Sequence, residues 1–284
     1  MTDVGNYANT VEKTLPISVC ITTKNNADTI GQCIESVYQW TDEVVVVDTD
    51  SDDGTTEICK EYGAKVFQHE FKGLADIKMK AVQHAENEWV LILDADEEIP
   101  KELRNEIIWV FDNSDAVAFY IRKREYMLGS FTHQHHVKRP YLAKKTAIYF
   151  KQEYVWERLT VREDYRDQTV KLSGSILHYR FDRISEMEMR NTQYSALEAL
   201  QIVEENKRDD ILSLSLRGIA IALDRLILTK GILDGYQGLI VSLLEFYQMI
   251  LTYGKVRDIY RLKEQYPDKW KQIWIEEECQ RGAI

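Results

Sequence analysis

The amino-acid sequence predicts an α/β fold, in which a mostly parallel sheet is flanked by helices and followed by a C-terminal helical extension. Two observations lead to this prediction. Through the first 120 residues, short apolar runs alternate with segments of helical periodicity, and the links between them are short. Such an order favours a parallel sheet with right-handed crossovers. From about residue 184 onward, helical periodicity continues alone.

The first half of the chain supplies the predicted sheet. Ile30, Cys33, Ile34 and Val37 recur at helical spacing after the apolar run 17–22. Four consecutive valines at 44–47 are typical of a strand that is buried on both faces. The same patterns then predict helices over 55–62, 74–85 and 100–111, and strands over 64–68 and 89–93.

The second half is predicted to be irregular at first and helical at the end. Strands are expected at 117–122, 147–150 and 170–172, and helices at 186–205, 211–229 and 235–262. In the last helix, the heptad-like row of Leu239, Leu243, Phe246 and Ile250 predicts packing on the main domain. The chain therefore divides into an α/β half over 1–120, a second half of the same domain over 121–182, and a helical region over 183–284.

Composition limits the classes of function. The 284 residues include 36 Lys+Arg and 47 Asp+Glu, and the resulting net charge of −11 argues against nonspecific nucleic-acid binding. The four cysteines form no C-x-x-C pair, which favours a reduced, intracellular compartment. The first residues lack the pattern of a signal peptide, and no run of about 18 uncharged apolar residues is present. We therefore expect a cytoplasmic protein that is not integral to a membrane, with peripheral contact to its inner face left open.

The densest group of carboxylates follows a predicted buried strand. Residues 89–93 lead directly into Asp94, Asp96, Glu97 and Glu98. Such crowding is costly unless a cation or solvent relieves it. Alternate strand residues share a face, so Asp94 and Asp96 are expected to point the same way. Oxygen ligands of this kind suit Mg²⁺ or Mn²⁺, and the alternative is a solvated acidic turn.

A second acidic segment follows the valine strand. Ser51 or Asp53 is a natural helix N-cap, and Gly54 permits a tight turn. Asp48 ends the strand and has no predicted capping role, so its carboxylate is available to accept a hydrogen bond from a nucleobase.

These motifs, in this order, resemble the family 2 glycosyltransferases, which have the GT-A fold with a Rossmann-like sheet. The resemblance covers about residues 17–110. It begins at Ile17-Ser-Val-Cys-Ile-Thr-Thr-Lys-Asn-Asn, continues through Val-Val-Asp48-Thr-Asp-Ser-Asp-Asp-Gly-Thr, and ends at Leu-Asp94-Ala-Asp96-Glu97. The glycine-rich turn of dinucleotide-binding dehydrogenases and the P-loop of kinases are both absent from the sequence.

The resemblance implies a nucleotide-sugar site. Residues implied to bind the nucleotide are Thr22, Lys24 and Asn25 of the opening turn, Asp48 on the base, and Lys78 and Asp94 near the phosphates. Asp94 and Asp96 are implied to hold Mn²⁺ or Mg²⁺ on the diphosphate. For Lys78, an exposed helix lysine is the alternative.

Beyond residue 115, the sequence is similar to a subgroup that builds lipopolysaccharide cores and other surface glycans. The counterparts of its motifs are Lys138-Arg139-Pro-Tyr-Leu, Val155-Trp156-Glu157, His178-Tyr179 and Lys230-Gly-Ile-Leu-Asp234-Gly235. Glu157 is implied to be the catalytic base, with a surface ion pair to Arg158 or Arg162 as the alternative. Trp156 replaces the usual histidine of that motif. Arg139 and Trp156 are implied to lie on the acceptor side.

The sequence offers two groups of histidines as candidate metal ligands. His178 is implied to be a third metal ligand, although a lone histidine is more often an ordinary hydrogen-bonded residue. His133, His135 and His136 lack zinc-site spacing, and a mobile acceptor-side loop is expected there instead.

The predicted function is an inverting transfer of a hexose from a nucleotide sugar, UDP-linked by expectation. The acceptor is expected to be a surface glycan, a lipopolysaccharide-type glycan or a lipid-linked acceptor. The alternatives are a glycosyltransferase acting on proteins or peptides, or a non-catalytic nucleotide-sugar-binding module. Oligomeric state is open. Residues 122–145 contain seven basic residues and one acid, or +6, so the remainder carries −17, which predicts a basic acceptor side that attracts phosphorylated glycans or anionic lipids.

Overall fold

The computed structural model describes residues 14–136, 139–151, 158–207 and 210–280. The chain divides into two compact units. Unit 1 consists of Met1–Lys123, His136–Gln152 and Trp156–Tyr179, and unit 2 consists of Arg124–His135, Glu153–Val155 and Arg180–Ile284. The three-part division expected from the sequence stays a prediction.

Strands and helices alternate through the first 113 residues, as the sequence predicts. The elements are β1 (Leu15–Thr23), α1 (Ile30–Glu35), β2 (Thr41–Asp48), α2 (Thr55–Glu61), β3 (Lys65–Gln68), α3 (Leu74–His84), β4 (Trp89–Asp94), β5 (Glu97–Glu98) and α4 (Lys101–Asn113). The predicted elements of this part all form, with ends that shift by a few residues.

The middle of the chain is richer in strands than expected, and the end is helical. The strands are β6 (Ala118–Met127), β7 (Ser130–His136), β8 (Pro140–Lys144), β9 (Ile148–Lys151), β10 (Arg158–Val161) and β11 (Thr169–Phe181). The helices are α5 (Ile184–Glu204), α6 (Ile211–Leu223), α7 (Tyr236–Gln265) and α8 (Trp270–Gln280). A π-helical turn, Asp224–Leu228, continues α6, and a 3₁₀ turn, Gly231–Asp234, precedes α7.

The described strands form one nine-stranded sheet and one two-stranded sheet. The large sheet has the order β3-β2-β1-β4-β8-β6-β11-β5, with β7 on β6, and β9 pairs with β10. The strands β3, β2, β1 and β4 are parallel, whereas β8 runs antiparallel to β4 and to β6. The first four strands therefore direct their carboxyl ends to one edge, where loops and ligands meet in open α/β sheets.

Alternation along β1 assigns the core residues to the two faces of the sheet. Ile17, Val19 and Ile21 pack into a cluster with side chains of α1 and α4. Cys20 joins a second cluster that contains residues of α3. Because successive strand residues point to opposite faces, helices cover both sides of the sheet.

Two strands, β7 and β11, differ from the sequence prediction because they lack an apolar pattern. The loop expected at the histidine triplet is in fact strand β7, Ser-Phe-Thr-His-Gln-His-His. In β11, only a short apolar stretch was predicted as strand, but pairing extends over 13 residues. Both strands are built largely from polar residues, so hydrophobic periodicity underestimates them.

The Lys230–Gly235 segment shapes a turn within unit 2. Lys230 and Gly235 both have positive φ, 65° and 60°. Asp234 is buried, and one of its oxygens accepts hydrogen bonds from the backbone N–H of His133, at 2.6 Å, and from its Nδ1, at 2.7 Å. This motif therefore joins β7 to the turn before α7.

Helix α7 departs from the expectation that its heptad-like row is covered. Leu239 and Leu243 are exposed. By length and composition α7 is sufficient to cross a membrane, and 33% of its most apolar 18-residue window is buried within the protein. One helix of this kind is weak evidence for a membrane span, because buried helices of soluble proteins share these properties.

We predict opposite effects for two glycine substitutions in α7. A Cβ at Gly238 would lie 1.8 Å from the carbonyl oxygen of Gly231, so Gly238→Ala must displace backbone. We expect it to lower the free energy of unfolding by roughly 3 kcal/mol. A Cβ at Gly254 meets nothing within 4 Å, so Gly254→Ala should raise stability by up to about 1 kcal/mol. Urea unfolding checks both, and equal effects would contradict the close helix–turn contact.

Candidate active site

The carboxyl ends of β1, β2 and β4 bring the predicted donor-site residues to one edge of the sheet. In the strand register, Thr22 lies opposite Val47 and Asp94, and Thr23 lies opposite Asp48. The parallel alignment thus places both acidic motifs beside the opening strand, as the sequence predicts.

Hydrogen bonds join the loops that follow β1 and β2. The backbone N–H of Asn25 donates to Ser51 Oγ at 2.8 Å, and Asn25 Oδ1 accepts from the N–H of Asp52 at 3.0 Å. The next two N–H groups of the first loop donate to Thr55 Oγ1, at 2.8 Å, and to Asp53 Oδ2, at 2.9 Å. Asn25 thus links the two loops, while Lys24 is exposed.

Asp48 is buried and has local partners. Its carboxylate accepts hydrogen bonds from the backbone N–H of Ser51, at 3.0 Å, and from the Ser51 hydroxyl. Asp48 therefore caps no helix, as expected, but it stabilises the turn that follows β2. Gly54, with φ of 93°, is the N-cap of α2 instead of Ser51 or Asp53.

Three basic side chains converge on Asp94. Lys78 Nζ donates to its Oδ1, and Lys123 Nζ and Arg139 Nη2 each lie 3.3 Å from its Oδ2. They come from α3, from β6 and from the residue before β8. Lys78 is almost fully buried, which rules out the alternative of an exposed helix lysine.

Glu97 is the second acid of this cluster. Its side chain is fully buried, and Oε1 lies 2.5 Å from Lys123 Nζ. Its Oε2 accepts the backbone N–H of Asp94 at 2.9 Å. The ring of Tyr141 lies beside the cations, with its centroid 5.7 Å from Lys123 Nζ and 4.9 Å from the Arg139 guanidinium carbon.

The cluster shifts its own ionisation equilibria. Burial opposes the charge on Asp94, but Lys78, Lys123 and Arg139 outweigh it and hold the pKa of this carboxyl well below its usual range. Burial also disfavours the Lys123 ammonium, yet Glu97, Tyr141 and Asp94 together raise the pKa of Lys123 well above its usual value. Both groups are therefore charged across the physiological pH range.

A candidate metal centre lies at the same place. Asp94, Glu97 and His178 each offer one ligand atom, and these atoms lie within 4.8 Å of one another. Glu97 Oε1 is buried, and its contact within the described part of the chain is the ion pair with Lys123. Two carboxylates and one imidazole suit Mn²⁺ or Mg²⁺, so the residues present fit a divalent cation.

Asp96 occupies a different position from the one expected. β4 ends at Asp94, so alternation along a strand does not carry Asp96 to the same side. Instead, β5 begins at Glu97 and pairs with β11, where His178 is opposite Glu97. Asp96 Oδ2 lies 3.3 Å from His178 Nε2. The sequence showed Glu97 as one of four crowded acids, but not which of them turns inward.

Two predicted residues lie outside the described part of the chain, namely Trp156 and Glu157. Arg139 is described, and it contacts Asp94. Lys123 was missed as a site residue. The sequence analysis includes Lys123 only in the basic stretch that it assigns to the acceptor side. In the structure, Lys123 contacts Asp94 and Glu97, and Arg139 contacts Asp94.

An α/β fold with two acidic motifs at the carboxyl ends of neighbouring parallel strands is the architecture that the sequence resemblance to glycosyltransferases implies. The family model for glycosyl transferase family 2 matches residues 18–176. The chain therefore belongs to glycosyl transferase family 2. The fold class predicted from the sequence is confirmed.

Relatives span most of the chain. An uncharacterized glycosyltransferase of Rickettsia prowazekii is 28% identical over 261 residues, covering 88% of this chain and 89% of the relative. The lipopolysaccharide core biosynthesis glycosyltransferase LpsC of Rhizobium meliloti is 30% identical over 204 residues, covering 68% and 74%. The solved structure of S. aureus TarS 1–349 in complex with UDP-GlcNAc is 19% identical, with a TM-score of 0.45 and coverage of 94% and 92%.

We predict that Lys123 is required to keep the acids of the site buried. Lys123→Met leaves the Glu97 carboxylate without this cation, and should lower the free energy of unfolding by about 3 kcal/mol or more. Lys101→Met, at an exposed position in α4, should change it by less than about 0.5 kcal/mol. Urea unfolding measures both, and equal stability of the two variants would contradict the role of Lys123.

Proposed function

We propose that this protein is an inverting hexosyltransferase that uses a nucleotide sugar, UDP-linked, as its donor. The acceptor is a surface glycan, a lipopolysaccharide-type glycan or a lipid-linked sugar. The observation that carries the proposal is the cluster at the end of β4, where buried acids and three basic side chains converge. Membership of glycosyl transferase family 2 supports transfer of a sugar as the reaction.

The donor nucleotide is proposed to lie over the carboxyl ends of β1, β2 and β4. Asp48 is placed to accept a hydrogen bond from the base if Ser51 releases it, and Thr22, Lys24 and Asn25 border the same edge. Lys78, Lys123 and Arg139 supply the positive charge that a diphosphate requires. Because these three side chains already contact Asp94, a diphosphate that binds there would replace Asp94 as their partner without a large movement.

A divalent cation, Mn²⁺ or Mg²⁺, is proposed to bind at Asp94, Asp96 and His178, with Glu97 as a further ligand. When bound, it would supply charge stabilisation for the departing nucleoside diphosphate. The residues of the chain orient the site: the β5–β11 pairing fixes Glu97 opposite His178, and the Asp94 N–H bond holds the Glu97 carboxylate.

Glu157 is proposed as the general base. An inverting transfer needs a carboxylate that takes a proton from the acceptor hydroxyl as the hydroxyl attacks the anomeric carbon. The support for Glu157 is its motif, Val-Trp-Glu, in the sequence. The neighbouring Trp156 is proposed to contact the acceptor, together with Arg139.

The proposals for the acceptor and for the location of the protein rest on a relative rather than on contacts in the structure. The lipopolysaccharide core role named for the relative LpsC supports a glycan of the cell envelope. A cytoplasmic location, at the inner face of the membrane, would give access to such acceptors. An oligomer is compatible with this proposal but is not required by it.

We predict that the metal dependence of nucleotide binding requires Asp96 and His178. At 100 times its dissociation constant, UDP should stabilise the protein by about 2.7 kcal/mol, and more with Mn²⁺ than with EDTA. Asp96→Asn and His178→Gln should each remove the Mn²⁺-dependent part of this stabilisation. A thermal-shift titration measures it, with Glu102→Gln, at an exposed position, as the matched control.

Two results would contradict this assignment in different ways. If Mn²⁺ enhanced UDP binding equally in all variants, the metal would lie elsewhere. If no nucleoside diphosphate stabilised the protein, the transferase proposal itself would fail. Nucleotide binding without hydrolysis or transfer of the donor would favour a non-catalytic binding module.

We predict that Glu157→Gln lowers sugar transfer by about 10²- to 10⁴-fold, because the amide cannot take a proton. Nucleotide stabilisation should be unchanged, which separates the base from the donor site. Glu163→Gln, at an exposed position nearby, is the control and should transfer at the normal rate. Transfer is measured with a radiolabelled donor and with glycan and peptide acceptors. A normal transfer rate for Glu157→Gln would mean that another residue is the base. Transfer to peptides alone would favour a protein glycosyltransferase.

A further inference from the structure

The structure points to a membrane-docking surface in unit 2, distinct from the donor site. We propose that α6, the turns that follow it and the first half of α7 dock on a lipid bilayer. This surface is called the apolar face below and consists of the exposed large hydrophobic residues between positions 211 and 247. It is independent of the catalytic proposal.

The first part of the apolar face is a stripe on α6 and its π-helical continuation. Its members are spaced four, three, four and four residues apart, so they lie on one side of the helix. Each is between 45% and 62% exposed: Leu212, Leu216, Ile219, Leu223 and Ile227. At 1.5 Å per residue, the 15 residue steps from first to last extend for roughly 22 Å.

The inward side of α6 explains why this stripe is exposed. Leu214 and Gly218 are its buried residues. A Cβ at Gly218 would lie 3.0 Å from Phe246 and 3.1 Å from Met249, so the glycine allows close approach of α7. A helix that packs on a protein core normally turns its bulky side chains inward. In α6, Gly218 faces α7, Leu214 is the buried leucine, and most of the other large aliphatic side chains are exposed.

The second part of the apolar face lies at the turns. Leu228, Ile232 and Leu233 are between 61% and 76% exposed and flank Lys230. Leu228 and Ile232 are more exposed than any member of the helical stripe. A lysine among projecting aliphatic residues can place its ammonium among lipid headgroups while its stem contacts acyl chains.

The third part is a stripe on α7. Tyr236, Leu239, Leu243 and Tyr247 are spaced three, four and four residues apart and are all about half exposed or more. The tyrosines lie at the two ends and the leucines between them. Tyrosine favours the boundary of a membrane, where its ring is in apolar surroundings and its hydroxyl is hydrated.

Most charged groups within this segment are paired with other side chains of unit 2. Residues 211–247 contain six charged side chains. Arg217 bonds Glu198 at 2.9 Å, Arg225 bonds Glu245 at 3.1 Å, and Asp234 bonds His133, all with partners inside unit 2. Asp224 and Lys230 remain for the outer surface. Pairing of the others keeps charge away from a surface that enters apolar surroundings.

The balance of charge favours lipid over a second copy of the chain. Residues 211–247 carry three cations and three anions, a net charge of 0, whereas the rest of the protein carries −11. An anionic membrane would repel most of the protein but not this face. Against a second copy, Lys230 of each chain would lose its hydration to another apolar face. At a bilayer, lipid phosphates would compensate it.

We predict that the full chain binds vesicles of phosphatidylglycerol and phosphatidylethanolamine in flotation experiments without any donor present. Leu228→Ser combined with Leu233→Ser should lower the partition coefficient about ten-fold or more, since both side chains leave water on docking. Trp109→Ser combined with Met189→Ser removes two side chains of similar exposure outside the apolar face, and should leave binding unchanged. Circular dichroism confirms that each variant is folded.

A fluorescent probe tests which residues enter the lipid. Cys279 is exposed and the other three cysteines are buried, so Cys279→Ser leaves no exposed thiol. An environment-sensitive dye on Leu228→Cys in that background should gain intensity with vesicles, while a dye on Trp109→Cys should not.

Three outcomes would overturn the proposal. The first is no vesicle binding by the unmodified chain. The second is vesicle binding that the Leu228→Ser, Leu233→Ser variant retains in full, since another surface would then be responsible. The third is a dimer that becomes a monomer in this variant with no lipid binding, which would assign the face to a second copy. Light scattering after size exclusion measures the third.

Discussion

Compensation of buried negative charge at the end of β4 is the constraint on which the active-site edge of this protein depends. Glu97 is fully buried and the Asp94 side chain is 27% exposed. An isolated buried carboxylate would be protonated or would destabilise the fold. Lys78, Lys123 and Arg139 prevent both outcomes. These cations come from three separate stretches of the chain, so the local electrostatics require that α3, β6 and the segment before β8 all reach the same point.

Strands beyond β4 complete the same cluster. Parallel strands β1, β2 and β4 bring their loops to one edge. Strand β8 runs antiparallel to β4 and to β6, so β6 has the direction of β4, and Arg139 before β8 and Lys123 of β6 both reach Asp94. Strand β11 places His178 opposite Glu97 through antiparallel pairing with β5. Mixed strand direction therefore serves the chemistry of the edge.

The sequence predicts the buried apolar elements of this fold better than the polar strands and the long-range contacts of the site. Continuous apolar runs predicted β1, β2 and β4, and helical spacing predicted the helices on both faces, because burial decides those positions. It did not predict β7 or the full length of β11, where pairing is made by polar residues. The site shows the same division: motifs predict Asp48, Asp94 and His178 as site residues, and the first two lie at strand ends. Glu97 and Lys123 were missed, since their roles depend on the chain turn after Asp94 and on a partner 26 residues away, and neither leaves a local pattern. The outward stripe of α6 was likewise read as ordinary helix, because periodicity gives a face but not its surroundings.

The hydrogen bonds between the loops after β1 and β2 have a consequence for the energetics of recognition. Backbone N–H groups at three successive positions, 25 to 27, are already satisfied by side chains of the neighbouring loop. The conformational entropy of both loops is therefore lost when the protein folds, and is not lost again when a ligand arrives. A ligand that binds at this edge contacts a backbone that is already ordered. Its affinity therefore depends on shape and charge, with little entropy cost for ordering the loops. Discrimination between similar ligands then depends on steric fit, because a rigid loop backbone does not adjust to a ligand of the wrong shape.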